Sequence, residues 1–269
     1  MPTIRKILVV LAVILILQFS IFNFQFSIAI NPLDKAREDY TFQFTKYREA
    51  QDKYITARSS YLTFKTAVAK SEAFLATKDY LTQVDNLYLG YIFLVNEHGN
   101  SLNWTNASVS KDKITSIINA QISYFKDHQE KVSQSATLEE LTVLAQDLKN
   151  HIDKDLLGKI NKTLATFEIV EAESVLADFN QLAGVLDKAM VSKNQLDQNQ
   201  SFYNNWTSEI SDIRSKFENF KDQANALLDK TKEDSATKNE LASISNFAQL
   251  AKKELSRSKP LFKEVIKIL

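Results

Sequence analysis

The stretch LDKAREDYTFQFTKYREAQDKYITARSSYLTFKTAVAKSEAFL, residues 33–75, has neither proline nor glycine, and its large apolar side chains return at intervals of seven: Leu33, Tyr40, Tyr47, Tyr54, Tyr61, Val68 and Leu75. Ala36, Ala50, Ala57 and Phe64 follow three residues after four of them. A repeat of 3.5 residues per turn keeps one stripe of a helix turned toward a neighbour and implies left-handed packing. The spacing predicts one helix over 33–75, on the order of 65 Å long. Its seam alternates large Tyr with small Ala, which lets a second helix come close. The fold class that follows is all-α: an elongated antiparallel helical bundle with heptad, coiled-coil-like seams.

The same grammar continues downstream. Between Pro32 and Pro260 there is no proline, and the chain has only 4 glycines, so the usual helix interrupters are scarce. Asn31, Pro32 and Asp34 form a helix start, with a capping side chain, a first-turn proline and an acid at the positive end of the dipole. YLTQVDNLYLGYIFLV, residues 80–95, is apolar almost all round and reads as a buried helix against the first. HGNSLNWTNASVSKD, 98–112, reads as a polar loop with a wet Trp104. Thr137 with Glu140 and Thr237 with Glu240 are capping boxes. Ile160, Leu164 and Phe167 share a face that is displaced from that of Val175, Phe179, Leu182 and Leu186, which leaves a phase slip or a break open near Glu171–Ser174. Trp206, Ile210, Ile213, Phe217, Phe220, Ala224 and Leu227 form another stripe, and Leu241, Ile244, Ala248, Ala251 and Leu255 a last one before Pro260 restarts a short tail. The expected layout is a helical hairpin over 32–97, the loop 98–112, a helical segment 113–200, and a hairpin with a short terminal helix over 201–269.

Upstream of the first helix, Arg5 and Lys6 precede the apolar run ILVVLAVILIL at 7–17. Ser27 and Ala29 then stand at the minus-three and minus-one positions of a signal-peptide cleavage site, which makes 1–29 a signal peptide and Ile30 the mature start. The competing reading takes 7–30 as an uncleaved membrane anchor, against which Gln18, Ser20, Asn23, Gln25 and Ser27 weigh. Either way the rest of the chain is expected to be extracytoplasmic, secreted or membrane-anchored. The chain has 0 cysteines, so burial and not disulfides must hold it.

At NPLDKAREDYTFQFTKYREAQDKY, 31–54, the chain resembles a group of exported, all-helical, coiled-coil-like proteins of candidate-phyla bacteria. The resemblance covers the N-terminal segment, with its repeated QFSI, and the first helix. It implies a bacterial envelope setting and carries over neither an activity nor a functional residue. In layout alone the chain is also similar to periplasmic holding chaperones and coiled-coil envelope factors.

Chemical signatures are sparse. Lys+Arg 33 balances Asp+Glu 33, without the basic face that nucleic acid binding needs, so no nucleic acid partner is expected. His98, His128 and His151 follow Val95, Phe125 and Leu148 by three, so the Glu-x-x-His pattern of bundle metal sites is missing. They read as surface residues, and no metal or cofactor is expected. Glu168, Glu171, Glu173 and Asp178 read as a solvated acidic face. Five Asn-x-Ser/Thr triplets, among them Asn103 and Asn205, read as a consequence of abundant Asn, Ser and Thr. Glycine clusters for phosphate and a serine elbow are missing too, so the chain is expected to be non-enzymatic. The sharpest feature is the ladder Tyr40, Tyr47, Tyr54 and Tyr61. It is a candidate interaction strip that grips glycan, lipid or a partner, or else a packing seam with hydroxyls at the wet edge; the partner expected is an unknown protein or a second copy of the chain. The function expected is an exported helical spacer or interaction module of the cell envelope. The alternative is an extracytoplasmic binding protein, a holding chaperone or a ligand-sensing bundle.

Overall fold

The computed structural model describes residues 31–192, 196–231 and 235–268. The signal-peptide and anchor readings of 1–29 and 7–30, with Ser27 and Ala29, lie outside the described residues. Among the described residues the chain is all-α, without a strand: α1 (Pro32–Phe64), α2 (Ala67–Ser101), α3 (Lys111–Gln134), α4 (Leu138–His151), a π turn (Ile152–Leu156), α5 (Leu157–Ser192), α6 (Leu196–Lys230), α7 (Lys238–Ser256) and α8 (Ser258–Ile268). No described helix is long and apolar enough to cross a membrane.

The first helix is shorter than its heptads predict. Lys65 adopts a left-handed conformation, φ 53°, and its N–H closes on the Tyr61 carbonyl. Thr66 then caps α2, its side chain accepting from the Ala69 N–H at 3.1 Å. The predicted helix 33–75 is therefore two helices folded into a hairpin, and the predicted helix 80–95 is the middle of the second. Sequence gave little warning, because the left-handed position, costly for a side chain, is filled by lysine and not glycine. Pairing α1 with α2 offsets that cost. Tyr54 stacks on Tyr80 at 4.9 Å between centroids and Tyr40 meets Tyr91 at 5.8 Å. Val68 and Leu75, which continue the heptad on paper, stand 68% and 62% exposed because the reversal turned them out of the stripe.

Two apolar cores lie in series. One gathers Leu81 and Ile92 of α2, Phe125 of α3, Leu141 of α4 and Ile160 with Phe167 at the start of α5. The other joins the second half of α5 to α6, α7 and α8 through Leu186, Ile213, Phe217, Leu255 and Val265. Ala165, Ile169, Ala224, Leu228 and Ile244 form a smaller third cluster. The 36-residue α5, on the order of 54 Å long, threads all three. It runs unbroken through Glu171–Ser174. There the helix is buried on nearly every side, so its apolar face can change without a slip. The division expected at 200/201 falls inside α6, and α2 runs to Ser101, which confines the loop to 102–110.

That loop is tied down. The Trp104 indole N–H donates to the Gly99 carbonyl at 2.8 Å, and its ring meets Phe167 edge-on. The half-buried Trp104 corrects the expectation of a wet side chain. Ser108 donates its N–H to Glu173 at 3.0 Å, which fixes the loop to α5.

Candidate functional site: a buried polar cluster between α2, α3, α4 and the π turn

Asp85 lies on the apolar stripe of α2 between Leu81 and Leu89, and His128 on that of α3 between Phe125 and Val132. Packing those stripes together buries both side chains, to 0% and 3% exposure. A lone carboxylate at such depth is strongly unfavourable. Here His128 Nδ1 stands 2.9 and 2.8 Å from the two Asp85 oxygens, and Nε2 stands 3.2 Å from the Leu144 carbonyl of α4. A carbonyl only accepts, so Nε2 carries a proton. A further proton shared by Nδ1 and the carboxyl then makes the pair neutral overall. Burial pushes the Asp85 carboxyl above the usual carboxylate range, and the hydrogen bond and charge of His128 oppose that rise. The pair ties three helices at one point.

A second layer lies beside it. Tyr124 stacks face to face on His151 with centroids 3.4 Å apart, and runs parallel to the His128 ring at 6.2 Å. Its hydroxyl is pushed up to about 12 by burial, with Asp85 and Asp147 adding to the rise. Gln121, buried on α3, accepts from His151 Nε2 at 2.8 Å and donates to Asp155 at 3.0 Å. In the π turn the Leu157 N–H reaches back to the Ile152 carbonyl. His151 and Asp155, four residues apart, share one side of the helix there and address the same glutamine. Lys159 pairs with Asp155 at 2.8 Å. Burial pulls the Asp155 carboxyl up, but the hydrogen bonds of Lys159 and Gln121, with the charges of Lys159 and His151, outweigh it and leave the group below its usual range. Burial also holds the His151 imidazole below its ordinary value.

An aspartate orienting a histidine is half of a nucleophile-activating triad. In such a triad the outer nitrogen faces the nucleophile, whereas here it faces the Leu144 carbonyl. The arrangement holds a proton inside a helix junction. Among the described residues no cluster of three or more His, Asp or Glu is placed to hold a metal ion.

The histidine reading is corrected by this geometry. His128 is a core residue, His151 is half-buried, and only His98, 3.9 Å from Glu171, sits near the surface. The acidic face is corrected as well. Glu168 and Glu171 pair with Lys252 of α7 at 3.2 and 2.6 Å, and Glu173 is buried on the Ser108 N–H, so three of the four side chains tie elements together while Asp178 stays exposed. Tyr40, Tyr47, Tyr54 and Tyr61 are half-buried, and the first three make ring contacts with Tyr91 or Tyr80 of α2. What sequence reasoning missed is the Asp85–His128 pair. Its local signal is a polar residue standing on an apolar stripe, and the partner 43 residues away has no local trace. No protein-family model matches the chain, and no curated protein or solved structure matches it either.

Proposed function

We propose that the chain is an exported, non-enzymatic helical spacer or interaction module of the cell envelope. The observation that carries the reading is α5, which threads two apolar cores in series and so builds length rather than one rounded core. The polar groups support it: Asp85 and His128 face other helices, and Glu168, Glu171 and Glu173 fasten a second helix and a loop. The basic start and apolar run at 5–17, with Ser27 and Ala29, supply the route of export. In-cell crosslinking with mass spectrometry, alongside cell fractionation, tests this. One stoichiometric envelope neighbour, or a self-crosslink, is expected. A scatter of unfolded clients would replace it with the holding-chaperone reading, and a cytoplasmic chain would overturn both.

A further inference from the structure

Five large apolar side chains crowd the closed end of the α1–α2 hairpin: Ile55, Leu62, Phe64, Val68 and Leu75, exposed by 55, 53, 68, 68 and 62%. Among the described residues only Phe42 and Val143 are other large apolar side chains more than half exposed. Most of the large apolar side chains left more than half exposed among the described residues thus lie within ten residues of the Lys65 turn, and removing them from water would be favourable.

The arrangement of the five says which kind. Ile55 and Leu62 each come one position after a stripe residue of α1, Tyr54 and Tyr61, while Val68 comes one position before Ala69, which is buried and stands three turns before Tyr80, on the face of α2 that stacks on α1. Leu75 follows Val68 by seven and shares its face. Because the two helices run antiparallel, a position after the stripe on one and a position before it on the other project from opposite faces of the hairpin. Phe64 stands at the end, next to the turn at Lys65. A folded partner would cover one face of such a tip. A lipid phase has no sidedness and surrounds it.

The charge agrees. Between 55 and 75 the ionisable groups are Arg58, Lys65, Lys70 and Glu72, and no acid occurs before Glu72. Lys70 makes only an exposed contact with Glu139, at 3.4 Å. Long basic side chains beside apolar ones can send their charges back to headgroup phosphates while their stems stay in the apolar layer. We infer that the α1–α2 tip docks on a lipid surface bearing anionic headgroups, with Leu62, Phe64 and Val68 as the wedge and Arg58, Lys65 and Lys70 as the collar. The inference rests on the envelope reading above and adds to it a lipid contact, on the order of 50 Å from the start of α1 by the length of its 33 residues.

The chain has 0 cysteines, so single sites can be labelled in the full-length protein. An environment-sensitive dye is placed through Val68→Cys, or through Asn204→Cys on the exposed side of α6 as control. Each protein is mixed with vesicles of phosphatidylcholine alone, or with phosphatidylglycerol added, carrying brominated acyl chains. The expected result is a blue shift and bromine quenching at 68 with the anionic vesicles and none at 204. Each of Arg58→Gln, Lys65→Gln and Lys70→Gln should weaken the response about fivefold. Flotation of the same samples reports separately on the N-terminal segment. A protein that floats while the dye at 68 stays wet overturns the lipid tip and leaves the envelope reading standing. A shift at 68 that rises with protein concentration without vesicles assigns the tip to a second copy and likewise overturns it.

Discussion

Gly99 on α2 and the ring of Phe167 on α5 touch so closely that a Cβ at Gly99 would stand 2.5 Å from Phe167 Cζ. The ring cannot retreat: it is fully buried, with His98 and Trp104 packed edge-on against it. Gly99→Ala should therefore destabilise the chain by about 1–3 kcal/mol, the cost of overpacking, despite the better helix propensity of alanine. At Gly184, inside α5, nothing lies within 4 Å of the Cβ position. Gly184→Ala should stabilise by roughly 0.5–1 kcal/mol. Denaturant midpoints that move in opposite directions are the expected reading.

The Asp85–His128 pair makes a second case. Removing one member leaves the other buried without its partner, so His128→Ala should cost about 3–5 kcal/mol, as breaking buried ion pairs does. Replacing both with apolar side chains of similar volume should cost much less. Chemical denaturation of the single and double variants checks this, and near-additive losses would contradict a mutually neutralising pair.

His151 gives the pH dependence. Burial leads the causes that hold its folded value below the ordinary histidine range. The unfolded chain therefore takes up this proton first as pH falls. The stability is complete above the unfolded value, about 6.5, and is lost as pH drops through the lower folded value. His151→Phe preserves a ring against Tyr124 and removes the titration. Stability measured from pH 7 downward should slope in the parent and run flatter in the variant.

Thr163 Oγ1 is buried with no hydrogen-bond partner, in a residue 0% exposed. Thr163→Val keeps the shape and removes the orphaned hydroxyl, so it should stabilise by about 1 kcal/mol. A lower melting temperature would show that the hydroxyl has a partner in solution.

On the hairpin, Tyr54 lies 9° from parallel with Tyr80. Tyr54→Ala removes a half-buried ring and should cost on the order of 2 kcal/mol, and Tyr54→Phe far less. Unchanged stability in the alanine variant would detach the ladder from the packing and return it to the role of an interaction strip.

Sequence by itself determined that this protein is helical, where most helices start, and which stripes are apolar. Those properties depend on neighbours within four residues: Asn31 accepts from the Leu33 N–H at 3.1 Å, and Thr137 with Glu140 and Thr237 with Glu240 close reciprocal capping boxes. Trp206 and Ile244 are buried as their periodicity predicts, because a stripe that recurs every three or four residues has to meet some partner. Which partner it meets was decided only by the tertiary structure. The heptad of the first helix runs on through Val68 and Leu75, yet the chain reverses at Lys65, where α1 packs onto α2 through Tyr40, Tyr47 and Tyr54 and the turn uses residues that carry no breaker signal. The same holds for the polar cluster. Asp85 with His128 and Gln121 with Asp155 are 43 and 34 residues apart, and their burial and proton balance exist only once α2, α3, α4 and the π turn are packed together. Periodicity acts over one turn of helix, while neutralising a buried charge requires the whole junction.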